Sequence, residues 1–211
     1  MLKIGVMVSG GGTNLQAILD RIDDGTLQNC RVVTVVSSRE GVYALERANS
    51  RGIPTAVISR KSFETVAEYD RVLIDHMRQY NVELVVLAGF LSLLGEGFVS
   101  AWKDAIINVH PALIPSFCGK GFYGIKPHQS ALEYGVKITG ATVHFVELEY
   151  DSGPIIMQKA VEVCPEDTPE TLQRRVMEQG EWVILPEAIR LFAQGRLKVD
   201  GRRVEIKQNA V

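Results

Sequence analysis

The sequence predicts an α/β fold built on an open, mostly parallel, doubly wound sheet, with an antiparallel element toward the C-terminal half. Two observations carry that reading. Through the first half of the chain, strand-like apolar runs alternate with segments of helical period, and several of the runs are apolar on both faces, as strands covered on both sides by helices require. Beyond Pro111 the pattern changes to a Gly- and aromatic-rich stretch, a helix and two longer strands joined by a turn.

The elements follow in order. Residues 4–8 form the first strand, Leu15, Ile18, Leu19 and Ile22 mark one face of the first helix, and the β-branched run 32–36 closes a βαβ opening of Rossmann-like character. A helix near 42–49, a strand at 55–58, a long helix from about 63 to 80 and an apolar strand at 84–88 continue the alternation. The strand at 105–110 stops at Pro111, because proline has no N–H to donate to a ladder. Residues 115–124 read as a loop, 128–134 as a helix, and 138–147 and 155–163 as strands. Thr168 and Pro169 are an N-cap and a first helical residue, and Pro186 is expected to disturb the helix that follows. Asp200-Gly201 predicts a hairpin turn between 197 and 206.

Composition narrows the function classes. With 211 residues, 46% apolar and 23% charged, the chain has enough material for one substantial core, and a single domain is expected. The 23 basic and 25 acidic residues leave a formal charge of −2, so no global field draws the protein to nucleic acid or to an anionic membrane, and the expected partners are small molecules. Monomer and homodimer both remain open. Cys30, Cys118 and Cys164 are odd in number and form no C-x-x-C pair, which fits neither a disulfide framework nor a zinc site. Without a leader-like segment or an apolar run approaching the ~20 residues of a bilayer span, a cytoplasmic location is expected.

Three constellations carry chemistry. The first is Ser9-Gly10-Gly11-Gly12-Thr13-Asn14, between the first strand and the first helix. A glycine-rich turn lets backbone N–H groups approach an anion, and the helix N-terminus adds a partial positive charge. Leu15 stands where a dinucleotide fingerprint has its third glycine, and the second strand ends in Ser37-Ser38-Arg39 in place of an acidic ribose ligand, so a single phosphate fits better than a dinucleotide. A side chain at Gly12 is expected to block the approach of that phosphate. A tight strand-to-helix turn with no ligand is the competing reading.

The second is Asn108-Val109-His110-Pro111, where a period of two places an amide and an imidazole on one face at the carboxyl end of a strand, the end at which open α/β sheets bind ligands. The pair alone is equally compatible with a hydrogen-bonded strand terminus. The third is Asp151, in the turn-like sequence Asp151-Ser152-Gly153-Pro154; by itself it reads as an Asx-turn residue and gains interest only as a partner of His110.

The glycine loop, Leu87-Ala88-Gly89-Phe90, the block Asn108-Val109-His110-Pro111-Ala112-Leu113-Ile114-Pro115 and Asp151-Ser152-Gly153-Pro154-Ile155-Ile156 resemble those of the folate-dependent formyltransferases, and among them the phosphoribosylglycinamide formyltransferases. The likeness runs from Ile4 to about Val199. It implies one formyltransferase domain over 1–211, with a phosphate-binding half at 1–110 and a half at 111–211 that completes the folate site. The chain is too short for the added tRNA-binding domain of methionyl-tRNA formyltransferases, and begins where formyltetrahydrofolate deformylases have already passed a regulatory domain.

The resemblance further implies direct formyl transfer from 10-formyltetrahydrofolate to the amine of glycinamide ribonucleotide in de novo purine biosynthesis. It assigns Asn108, His110 and Asp151 to catalysis, the backbone of Gly12, Thr13 and Asn14 to the phosphate, and Glu181 to the glycinamide portion. Leu91, Leu93, Leu94, Val99, Val146 and Glu147 fall where the family lines its folate pocket, although many relatives have Met-Arg at Leu91-Ser92. Asn108 and a protonated His110 would stabilise the oxyanion, and Asp151 would favour the imidazolium and take up the amine proton. No metal is implied, since His76, His110, His128 and His144 show no ligand spacing; His144 reads as a supporting residue. The competing classes are a deformylase-like hydrolase, a covalent Cys118–His110 enzyme, an NADP-dependent reductase using Arg39, and a non-catalytic nucleotide-binding module.

Overall fold

A computed structural model describes residues 1–208; residues 209–211, the end of the predicted second half, lie outside the described residues. The chain forms two compact units, Met1–Asn108 and Val109–Val211.

The first unit alternates β1 (Leu2–Val8), α1 (Thr13–Asp23), β2 (Cys30–Ser37), α2 (Tyr43–Asn49), β3 (Thr55–Val57), α3 (Val66–Gln79), β4 (Leu84–Leu87), α4 (Glu96–Ala101) and β5 (Ile106–His110), the last running across the boundary between the units. Its strands lie in the order β3-β2-β1-β4-β5, every pairing parallel. Ile4, Val6, Met7 and Val8 of β1 and Leu84, Val85 and Val86 of β4 have no exposed surface, as expected of strands covered on both faces. Strand order reverses between β1 and β4, and the crevice outside the carboxyl ends of such a pair is where open α/β sheets bind ligands.

In the second unit α5 (Lys126–Tyr134) precedes the antiparallel pair β6 (Ile138–Phe145) and β7 (Ile155–Glu162). Then come α6 (Pro169–Val176), a π-helical turn at Met177–Glu181, α7 (Trp182–Ala193) and the hairpin β8 (Leu197–Asp200) and β9 (Arg203–Ile206). The order here is β6-β7-β9-β8. The predicted class, a mostly parallel sheet with an antiparallel part toward the C-terminus, therefore holds.

Four details differ from the sequence reading. The long helix starts later than 63, because Thr65 caps it: its hydroxyl accepts from the Glu68 N–H and the Glu68 carboxylate accepts from the Thr65 N–H. Helix α4 has no counterpart among the predictions; six residues with Gly97 among them and Gly95 just before give no periodic signal. The buried Asp70 carboxylate of α3 organises its start, accepting from the N–H groups of Gly95 (2.9 Å) and Phe98 (3.1 Å). The hairpin turns on Gly201-Arg202, one residue later than expected, with Asp200 paired to Arg203. Pro186 lies inside α7, while the irregular winding sits one turn earlier, at Met177–Glu181.

Candidate active site

In the first unit, the glycine loop leaves β1 at the point where strand order reverses. The Ser9 hydroxyl accepts the Leu91 N–H at 2.9 Å and meets the Ser38 hydroxyl at 2.6 Å, tying together the segments that follow β1, β2 and β4. Gly12 is the N-cap of α1 and adopts the left-handed conformation, φ 72°. A Cβ built on it would lie 2.6 Å from the Ala44 Cβ and 2.8 Å from its Cα.

That contact adds a second reason against a side chain at Gly12. Close packing of the loop on α2 already forbids a side chain there, whether or not a phosphate is bound. Gly12→Val should therefore cost about 3–5 kcal/mol in stability, combining left-handed strain with overpacking. A melting temperature equal to that of the wild type would refute this.

Strand β5 delivers Asn108 and His110 to one face, with His110 only 3% exposed. In the second unit the chain passes from β6 through a turn that returns as β7. Asp151 occupies that turn in the left-handed region, φ 52°, which a short polar side chain tolerates. Gly153 is required beside it, because any Cβ there would collide with the Phe145 carbonyl. The Phe145 N–H in turn donates to the Pro154 carbonyl at 2.9 Å, closing the turn.

The Asp151 carboxylate is held from three directions. Oδ2 accepts the Gly119 N–H at 2.8 Å and lies 3.5 Å from His110 Nδ1, and Oδ1 lies 3.7 Å from His144 Nε2. His144 Nδ1 donates to the Phe145 carbonyl at 2.7 Å, which fixes the ring and turns Nε2 toward Asp151. The ladder between β6 and β7 slips register between Val143 and His144, a bulge of the kind that re-aims side chains beside active sites. Burial pushes the Asp151 carboxyl up, but the His144 and His110 imidazoles and the Gly119 N–H together outweigh it, leaving the group below the ordinary aspartate range.

His110 has an acceptor at each nitrogen: the Asp151 carboxylate at Nδ1 and the Phe117 carbonyl 2.9 Å from Nε2. Both can be satisfied at once only by the imidazolium. Burial opposes the charge and is the largest influence, so the pKa falls below that of an ordinary histidine even though Asp151 and the Phe117 carbonyl push it up. Desolvation therefore works against the imidazolium that Asp151 and the Phe117 carbonyl favour. His128, in the first turn of α5, is fully buried with no partner at either ring nitrogen, and burial followed by the proximity of His110 pushes it down to about 4. Near neutral pH it brings no positive charge to oppose a proton on His110.

Glu181 ends the π-helical turn and is 6% exposed. Such one-turn widenings recur at functional sites. Among the predicted folate-pocket residues of the first unit, Leu91 and Leu93 are half exposed, Leu94 is in the core and Val99 is partly covered. In the second unit, Val146 is partly covered and Glu147 is exposed just after β6. A groove of about 860 Å³ lies between α3 and α4, lined in part by Asp70, Arg71, Arg78 and Glu96, and contains none of these residues.

Cys30, Cys118 and Cys164 are free thiols, and burial, followed by the charge of Asp151, pushes the Cys118 thiol up, away from thiolate chemistry. Among the described residues no group of three or more His, Cys, Asp or Glu is placed to hold a metal ion, and no helix is long and apolar enough to cross a membrane.

An amide and an imidazole at a strand end with a partly buried carboxylate 3.5 Å from that imidazole, and in the first unit a glycine loop at a helix start, are features that suit group transfer on an α/β sheet. The profile of the formyl transferase family matches residues 2–189, and the chain belongs to that family. It is 39% identical over 199 residues to the phosphoribosylglycinamide formyltransferase of Haemophilus influenzae, a match covering 94% of this chain and 91% of the relative. The crystal structure of glycinamide ribonucleotide transformylase 1 from Symbiobacterium toebii superposes with a TM-score of 0.92 at 44% identity, covering 99% of this chain and 95% of that one. The chain is also 42% identical over 198 residues to the trifunctional purine biosynthetic protein adenosine-3 of Gallus gallus; the match covers 94% of this chain but 19% of that much longer protein.

Proposed function

We propose that the chain transfers the formyl group of 10-formyltetrahydrofolate to the amine of glycinamide ribonucleotide, a step of de novo purine biosynthesis in the cytoplasm. The observation that carries this is the buried His110, 3.5 Å from the Asp151 carboxylate and two residues along the same strand from Asn108, in a chain of this family.

The amine attacks the formyl carbon, and negative charge develops on the formyl oxygen. The Asn108 amide and the His110 imidazole are the donors that stabilise it, in a setting where burial strengthens their effect. Burial disfavours the charged form of His110, and the charge developing on the formyl oxygen favours its protonation; Asp151, a carboxylate at neutral pH, stabilises the imidazolium and takes the amine proton directly or through water. Since Nε2 is engaged by the Phe117 carbonyl, a substrate oxygen approaching that nitrogen displaces this bond.

In this reading the backbone of Gly12, Thr13 and Asn14 binds the acceptor phosphate, Glu181 the glycinamide portion, and Leu91, Leu93, Leu94, Val99, Val146 and Glu147 the folate, all serving one reaction of one catalytic domain. The aliphatic Leu91, exposed and next to Ser92, gives the folate pocket apolar surface but no cation at that point.

With labelled 10-formyltetrahydrofolate, label should pass to glycinamide ribonucleotide, poorly to its dephosphorylated nucleoside, and not to methionyl-tRNA. Loss of the phosphate should cost about tenfold or more in kcat/KM, because charge-assisted contacts at the start of α1 are then unmade. Release of labelled formate at one rate with and without acceptor would instead establish a deformylase.

A further inference from the structure

We infer that Arg47 is a positioning residue that gives the enzyme its preference for a phosphorylated acceptor, an inference that rests on the proposed reading of the glycine loop. Four successive carbonyls of the loop are each held by a donor. The Ser9 carbonyl accepts from Arg39 Nε at 2.6 Å, that of Gly10 from the Ala44 N–H at 3.2 Å, that of Gly11 from Arg47 Nε at 2.9 Å, and that of Gly12 from the Gln16 N–H at 2.9 Å.

In a trans peptide the C=O and the N–H of the next residue point in opposite directions. Fixing those four carbonyls therefore fixes the N–H vectors of Gly10, Gly11, Gly12 and Thr13 on the other side, as a row of donors an anion can meet. Sterics alone do not do this: a Cβ on Gly10 or Gly11 would have no atom within 4 Å, so these two peptides have open space around them. Three consecutive glycines also carry the greatest backbone freedom a chain can have. Hydrogen bonds from outside the loop have to supply the order.

Arg47 is itself held for that task. Its Nη1 donates to the Gln16 side chain at 2.7 Å, and its guanidinium lies 4.7 Å from the centre of the Tyr43 ring. One side chain of α2 thus bridges the loop and the second turn of α1. Rotation of the Gly11–Gly12 peptide in its absence would turn a carbonyl toward the phosphate and exchange an attraction for a repulsion.

The test compares the wild type, Arg47→Met and Arg47→Lys with two acceptors, glycinamide ribonucleotide and its dephosphorylated nucleoside, and measures the binding of inorganic phosphate by 31P NMR. Arg47→Met should raise KM for the phosphorylated acceptor about tenfold with kcat and the folate KM within twofold, leave the nucleoside reaction unchanged, and weaken phosphate binding in parallel. Arg47→Lys, which keeps the charge but loses the fork, should recover only part of the preference. Equal losses with both acceptors, or a wild-type preference retained in Arg47→Met, would overturn the role of Arg47 while leaving the proposed reaction standing. A wild type that neither prefers the phosphorylated acceptor nor binds phosphate would overturn both.

Discussion

His110→Ala is expected to lower kcat by about 100- to 1000-fold, the effect of removing one donor to a developing oxyanion, while the chain stays folded. The expectation of folding rests on where the side chain sits. The core contribution of β5 comes from Ile106, Ile107 and Val109, all at least 94% buried, and none of them is touched by the change. Two groups lose the imidazole as a partner. The Asp151 carboxylate keeps the Gly119 N–H and the neighbouring His144, and Phe117 keeps its ring contacts with Phe122 and Tyr134. A stability cost of about 1–3 kcal/mol is the scale for such a loss, offset in part because a polar ring is no longer buried. Asn108→Ala should give a similar loss of turnover for the same reason. Single-turnover rates, read beside a thermal melt, check the prediction; turnover near that of the wild type in His110→Ala would remove the oxyanion mechanism.

Much of this architecture is legible in the sequence because it is written in local patterns. Residues 4–8 and 84–88 are apolar on both faces because helices cover them, and Thr168-Pro169 starts a helix because a hydroxyl cap and a fixed φ act within one turn. What escapes is set at long range. Helix α4 begins where it does because Asp70, twenty-five residues earlier, accepts the Gly95 N–H, and nothing in 96–101 announces that. The widening at Met177–Glu181 has no periodic signature either, since a single π-helical turn leaves the apolar stripe on both sides intact.

The site divides in the same way. Asn108 and His110 are readable as a pair because strand alternation alone places them on one face. The pairing of His110 with Asp151 spans forty-one residues and has no local signature; the turn after β6 brings the carboxylate within 3.5 Å of Nδ1. His144 was legible only as a strand histidine; its approach to Asp151 depends on the register slip in the β6–β7 ladder. The electrostatic balance at His110 is not legible in the sequence, for a physical reason. Sequence shows that a carboxylate is available to raise the pKa, but not that desolvation, which lowers it, is the larger influence.

That balance makes Asp151→Asn the sharpest probe of the mechanism. Asp151 is the principal group raising the pKa of His110 against burial, so its neutralisation should lower that pKa further. If turnover needs the proton on His110, activity falls as pH rises through the His110 pKa; a lower pKa moves this alkaline limb toward acid. At pH 7–8 the variant should therefore lose about 100-fold or more in kcat, combining a smaller protonated fraction with the loss of the proton acceptor. As the pH falls the gap should narrow, because His110 of the variant then regains its proton and only the missing base remains to be felt. Acceptor and folate KM values should change little, as an asparagine oxygen can still accept the Gly119 N–H and hold the turn in place. The measurement is a pH–rate profile of kcat for both proteins across this range. A profile that drops uniformly, with its alkaline limb where the wild type has it, would show that Asp151 does not govern the protonation of His110.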